Sequence, residues 1–206
     1  FFFMIRRPPR STPFPYTPLF RSVASFGLTR KRNLLHFTVP RGAGTSALPS
    51  GLHLLDPATG CTRTLLAGEC RIESVVLDRE ERRIAFLSDR ATAKERRPVL
   101  ELYGWEEGTQ AARLLVSPAA TPGFPAGRTL GGSLAFSRDG SALLLSAESV
   151  PAPTPPAPPA DERVLLDLWN WRDGLLQSMQ AKRSPGEGRD TRHGVYHLAE
   201  GRFVLA

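Results

Sequence analysis

The chain has 206 residues, with 27 Lys and Arg against 20 Asp and Glu, a formal net charge of +7. With 41% hydrophobic and 23% charged residues, its makeup is that of a folded globular protein and not a disordered one. No apolar run approaches the ~18 residues of a membrane-spanning helix, and two cysteines supply neither a disulfide-dense miniprotein nor a four-thiolate zinc site.

The charge is unevenly placed. Residues 1–22 hold Arg6, Arg7, Arg10 and Arg21, no acid, and five of the eleven phenylalanines. Without them the balance falls to 23 bases against 20 acids. A basic aromatic arm of this kind could serve nucleic acid or an anionic membrane, and a disordered tail is the plainer alternative. The text PYTPLFRS, preceded by FFFMIRRPPRSTPF, instead resembles the in-frame translation of a sequencing adapter, with Pro13 and Pro18 as departures. The segment is therefore expected to be artefactual or disordered, and no nucleic-acid partner is expected. It is not a secretory leader, because its apolar residues precede the arginines and its prolines break a helix.

From Phe26 onward, short β-rich runs alternate with turn residues. In chain order they are Leu34 to Val39, Leu52 to Asp56, Cys61 to Leu66, Ile72 to Leu77, Ile84 to Ser88, Val99 to Trp105 and Ala111 to Val116. Ser133 to Ser137, Ala142 to Ala147 and Val195 to Leu198 follow. Valine, isoleucine, leucine and aromatic residues bounded by Asp, Gly and Pro are strand and hairpin signals. Several runs are continuously apolar, as suits strands buried on both faces.

The runs also repeat. VVLDREERRIAFLS from Val75 aligns with LAFSRDGSALLLSA from Leu134, so that Leu77 matches Phe136 and Ile84 matches Leu143. LLDPATGCTRTLL from Leu54 is echoed by VYHLAEGRFVL from Val195, with Gly60 matching Gly201. The two hairpin types alternate, giving units of four antiparallel strands, the blade of a β-propeller. A sandwich with regular hairpins is the alternative. The expected fold is all-β, an incomplete β-propeller of about three four-stranded antiparallel blades over residues 23–206, because three blades fall short of the ~4 to 8 that close a ring. The blades run Phe26 to Leu66, Ile72 to Val116 and Ser133 to Ala206. The third carries a proline-rich insertion at 150–162, read as a stiff surface loop. Unpaired edges and an uncovered blade face predict poor solubility.

Catalytic signals are absent. His193 and His197 have a helical metal spacing, but in a strand they stand ~13 Å apart, and His36 and His53 read as ordinary strand or surface residues. GTSAL (Gly44 to Leu48) lacks the closing glycine of a nucleophile elbow. Glu80, Glu81, Glu106 and Glu107 read as solvated turn residues. Cys61 and Cys70 are either bonded in an oxidising compartment or buried free thiols. No catalytic, cofactor-binding or metal-ligating residue is assigned, and no cofactor is expected.

The most unusual stretch is LDLWNWRDGLLQSMQ, in which Trp169 and Trp171 alternate along a strand as an aromatic ledge or a substrate-facing platform. Together with the proline-rich insertion before it and GVYHLAEGRFVLA after it, it resembles the N-terminal propeller of bacterial peptidases of the prolyl oligopeptidase family. The resemblance lies in Trp169, Asn170, Trp171, Asp173, Gln177 and Gln180. It extends to Thr121 to Ser149 and to Ile84 to Arg90, and covers roughly Phe26 to Ala206. Gly174, where a proline is common, and Pro185 to Gly188 are departures.

The resemblance implies a parent serine peptidase in which the propeller caps an α/β-hydrolase domain and admits short or unfolded peptides. That domain, carrying the Ser, Asp and His, would be the partner of this non-catalytic portion, and peptides the substrates of the parent. A periplasmic or extracellular location is implied on the same grounds. The alternatives are a stand-alone propeller acting as a protein-binding scaffold and a spurious gene call.

Overall fold

The computed structural model describes residues 23–42, 48–150 and 190–206. The segment 1–22, the insertion after Val150 and the tryptophan stretch lie outside the described residues, as do most of GTSAL, Gly174 and Pro185 to Gly188.

Twelve strands are described: β1 (Ser25–Leu28), β2 (Leu35–Val39), β3 (Gly51–Leu55), β4 (Thr62–Ala67), β5 (Ile72–Leu77), β6 (Arg83–Ser88), β7 (Glu101–Glu106), β8 (Arg113–Val116), β9 (Arg128–Phe136), β10 (Ala142–Ser149), β11 (Thr191–His197) and β12 (Arg202–Leu205). They form three four-stranded antiparallel sheets, ordered β1-β2-β3-β4, β5-β6-β7-β8 and β9-β10-β11-β12. Each is a meander of neighbouring strands, so the all-β, blade-by-blade expectation holds. No helix occurs among the described residues.

The repeat read from the sequence appears as register. Leu77 pairs with Ile84, and Phe136 with Leu143. The turns between these strands close alike: Asp78 N–H donates to the Arg83 carbonyl, and Ser137 N–H to that of Ala142, at 3.0 and 2.9 Å. A side-chain oxygen of the first turn residue takes the returning N–H: Asp78 Oδ1 from Arg83 at 3.1 Å and Ser137 Oγ from Ala142 at 2.9 Å. The first sheet repeats the device, with Thr29 Oγ1 accepting from Leu34 N–H at 2.8 Å. Asp, Ser and Thr suit this position because a short side-chain acceptor substitutes for a backbone one. The second hairpin type ends on Gly60 and Gly201, with φ of 69° and 64°, where a glycine avoids the Cβ clash.

Alternation along β6 explains the stacking. Ile84 and Phe86 join Leu52, Leu54 and Leu65 in one core between the first and second sheets. Ala85 and Leu87 face the other way and join Leu130, Leu143, Leu145 and Phe203 between the second and third. The middle sheet is therefore buried on both faces, as its continuous apolar runs require. The inner strands β5 and β9 carry bulges at matching places and touch there, Ser74 Oγ donating to the Gly132 carbonyl at 2.5 Å.

Some boundaries differ from expectation. β9 begins at Arg128 rather than Ser133, because Gly131 and Gly132 accommodate a bulge instead of ending the strand. Cys61 precedes β4 and is exposed, whereas Cys70 is buried, and both are free thiols. The segment before β9 also covers the outer edge of the third sheet: Phe203 N–H donates to the Pro122 carbonyl at 3.1 Å, and Phe124 packs on Phe203.

Candidate functional site

The chemistry-bearing side chains gather where the first sheet meets the second, at the two ends of the strands. At the end carrying the hairpin turns, Glu81 accepts the N–H groups of Arg30 and Lys31 at 2.8 and 2.6 Å. Glu80 pairs with Lys31 at 3.0 Å. Glu107 pairs with Arg32 and stands 3.8 Å from Arg82. The turn acids read from sequence as merely solvated thus form a charged latch between two sheets. Glu80 and Glu107 lie exposed in turns as expected, whereas Glu106, also exposed, closes β7.

At the opposite end, a half-buried polar cluster is assembled from five separate segments. Asp89, at the end of β6, is 5% exposed and accepts the Arg71 N–H at 2.7 Å. Arg41 faces it at 3.7 Å and donates to the carbonyls of Glu69 and Ala93. The Glu69 carboxylate accepts from Gly42 N–H and from the Ser50 hydroxyl, both at 3.2 Å. Deeper in, Tyr103 donates to Glu101 Oε2 at 2.9 Å. Burial, with the Glu101 carboxylate beside it, pushes the Tyr103 phenol up to about 12.

Cys70 lies in the same cluster, near Ser88. Burial raises its thiol above the ordinary value, so it stays protonated at neutral pH and is a poor nucleophile. His53 is the other candidate for proton chemistry: Nδ1 is 3.1 Å from Thr64 Oγ1, and Nε2 is 2.9 Å from the Pro49 carbonyl. A carbonyl only accepts, so Nε2 carries the proton and Nδ1 accepts from the threonine hydroxyl. The ring is fully buried and stacked on Phe37. A histidine–hydroxyl pair that no substrate reaches is a packing device, and burial holds its pKa below 6.5.

His193 and His197 both fall in β11, and His36 in β2, where burial lowers its pKa. Among the described residues no three His, Cys, Asp or Glu side chains gather as a metal site, and no helix is long and apolar enough to cross a membrane. A cavity of about 150 Å³ lies between the second and third sheets, beneath Arg83, Trp105 and Phe136. Its lining is mostly apolar, and the Arg83 guanidinium stands 5.8 Å from the Phe136 ring centre.

The fold and these interfaces define a propeller-like stack of β-meanders. No family model matches the chain, and no curated protein matches it. Among solved structures, the Pyrococcus horikoshii acylaminoacyl peptidase is similar at 13% identity and a TM-score of 0.48, covering 89% of this chain and 24% of that one. A structure from a study of two prolyl endopeptidases is similar at 10% identity and a TM-score of 0.29, covering 89% and 29%. The chain thus spans less than a third of the length of either peptidase.

Proposed function

We propose that this chain is the non-catalytic propeller portion of a prolyl oligopeptidase-like serine peptidase. In this reading it limits peptide access to an α/β-hydrolase domain of the same polypeptide. The observation that carries it is the segment Trp169 to Gln180, whose paired tryptophans, acid and spaced glutamines resemble that family's propeller. Support comes from the rest of the chain, which supplies four-stranded meanders in the expected order. In the parent, an activated serine would form an acyl-enzyme that water then hydrolyses. Export of the parent is part of the same proposal.

Reading the genomic DNA on both sides of the coding segment tests it. The expected result is a downstream G-x-S-x-G between a strand and a helix, followed by an Asp and a His. Further blades and then a stop codon would overturn it in favour of a stand-alone binding scaffold. If the longer gene is found, its product should cleave short peptides, spare folded proteins and lose activity to a serine-reactive fluorophosphonate. Undiminished activity after that reagent would exclude the serine mechanism.

A further inference from the structure

The first turn of each sheet follows one plan. Thr29, Asp78 and Ser137 take the returning N–H of Leu34, Arg83 and Ala142, so the three loops have equal length. In every case the residue after that acceptor is an arginine: Arg30, Arg79 and Arg138. The turn's own hydrogen bonds demand no particular side chain there, and all three arginines are exposed.

Stacking brings these turns side by side. Glu81 of the second turn accepts backbone N–H groups of the first, and the Arg83 guanidinium lies against Gly140 of the third. Between the inner strands β5 and β9, a recess of about 390 Å³ opens at this end. Val76, Leu77, Ala135 and Phe136 give it an apolar wall, and Arg79 and Arg138 complete its lining.

The acids of the same turns are committed elsewhere. Asp78 holds Arg82 and Arg83, and Glu80 pairs with Lys31. Asp139 accepts the hydroxyls of Ser137 and Ser141. Among the described residues, neither the Arg79 nor the Arg138 guanidinium has an ion-pair partner. The recess therefore offers two uncommitted planar forks beside an apolar wall. A carboxylate matches such a fork with two parallel hydrogen bonds, and the wall suits an aliphatic or aromatic side chain. A nucleic-acid strand fits less well. Glu80 and Asp139 follow the two arginines in their turns and repel a continuous row of phosphates, which needs an unbroken basic field.

We propose that the recess between β5 and β9 binds an acidic peptide segment. Arg79 and Arg138 each take a carboxylate, and an apolar side chain between those acids lies on the wall formed by Val76 and Phe136. The site is built wholly from the second and third sheets and stands apart from the peptidase reading, so failure of either leaves the other in place.

Fluorescence polarisation of the 206-residue chain with fluorescein-labelled Gly-Glu-Leu-Glu-Gly tests it. Binding should saturate, and the counterpart Gly-Gln-Leu-Gln-Gly should bind at least about tenfold more weakly, having lost its charge-assisted bonds. Arg79→Gln and Arg138→Gln should each weaken the acidic peptide by about tenfold, and more when combined. Arg96→Gln removes the same charge from the exposed β6–β7 loop and should leave binding unchanged. Far-UV circular dichroism verifies the strands of each variant. Should an arginine variant lose them, Ala135→Glu replaces it, placing a competing carboxylate in the recess wall and weakening the peptide likewise. Four results would each overturn the proposal: no saturable binding, equal affinity for the glutamine peptide, an equal loss in Arg96→Gln, or tighter binding of a labelled oligothymidylate.

Discussion

The two internal interfaces solve one packing problem with different chemistry. Between the second and third sheets the core is broad and apolar, with Leu87, Leu102, Val116, Leu143 and Leu145 almost fully buried. Ser74 Oγ donates across it to the Gly132 carbonyl. Between the first and second sheets a smaller apolar core is framed at both ends by charged groups, the Glu81 and Glu107 latch and the Asp89–Arg41 cluster. Burial strength is nearly indifferent to salt, while exposed ion pairs are screened. The lesson is that adjacent blades of one stack can respond differently to the same solution condition.

The largest effects should come from emptying either core. Phe86→Ala, which removes a fully buried ring between the first two sheets, should cost about 3–5 kcal/mol in a denaturant titration. Leu143→Ala on the other side should cost about 2–5 kcal/mol. Hydrogen exchange should place each loss mainly on the interface concerned; a uniform loss in both variants would show that the three sheets melt as one unit.

Next in size is the turn device. Asp78→Ala removes the acceptor for Arg82 N–H, Arg83 N–H and the Arg83 guanidinium, at an expected cost of about 1–3 kcal/mol. Thr29→Ala loses one such bond and should cost about 1 kcal/mol. Equal costs would mean that the extra bonds of Asp78 contribute nothing.

Acidification should act on the first sheet. Burial holds His36 and His53 below their ordinary 6.5, so the folded state keeps them neutral while the unfolded chain takes up protons first. Their contribution is complete above pH 6.5 and declines as pH falls below it. The melting temperature should drop across that window, and His53→Gln should flatten the slope. A parallel decline in that variant would assign the effect to other groups. The smallest change is expected from Lys31→Ala, which breaks a surface pair worth about 0.2–1 kcal/mol. Its effect should vanish in high salt, and persistence there would argue for packing rather than charge.

The strands were legible because their apolar runs are bounded by Asp, Gly and Pro, and the alignment of Leu77 with Phe136 and Ile84 with Leu143 became the observed register. The start of β9 was not: the apolar run was read from Ser133, whereas the strand begins at Arg128 and passes a bulge at Gly131 and Gly132. The roles of Glu81 and Glu107 were hidden for another reason. Their partners, Arg30, Lys31 and Arg32, are distant in sequence and meet them only after two sheets stack. The cluster around Asp89 shares that property, drawing Arg41, Cys70 and Tyr103 from separate strands and loops. Paired positions within a hairpin leave a local pattern; positions joined by stacking leave none.

The third sheet is assembled from pieces far apart along the chain. Glu148 pairs with Thr191, and Phe203 is held by Pro122, whereas each of the first two sheets is contiguous from its first strand to its last. During vectorial synthesis the ribosome therefore delivers two finished sheets and then half of a third. Leu143 and Leu145 must wait for Tyr196 and Phe203 to leave the exit tunnel before their side of the core is sealed. That interval, set by chain connectivity and not by the strength of any contact, is when a nascent chain most needs a chaperone.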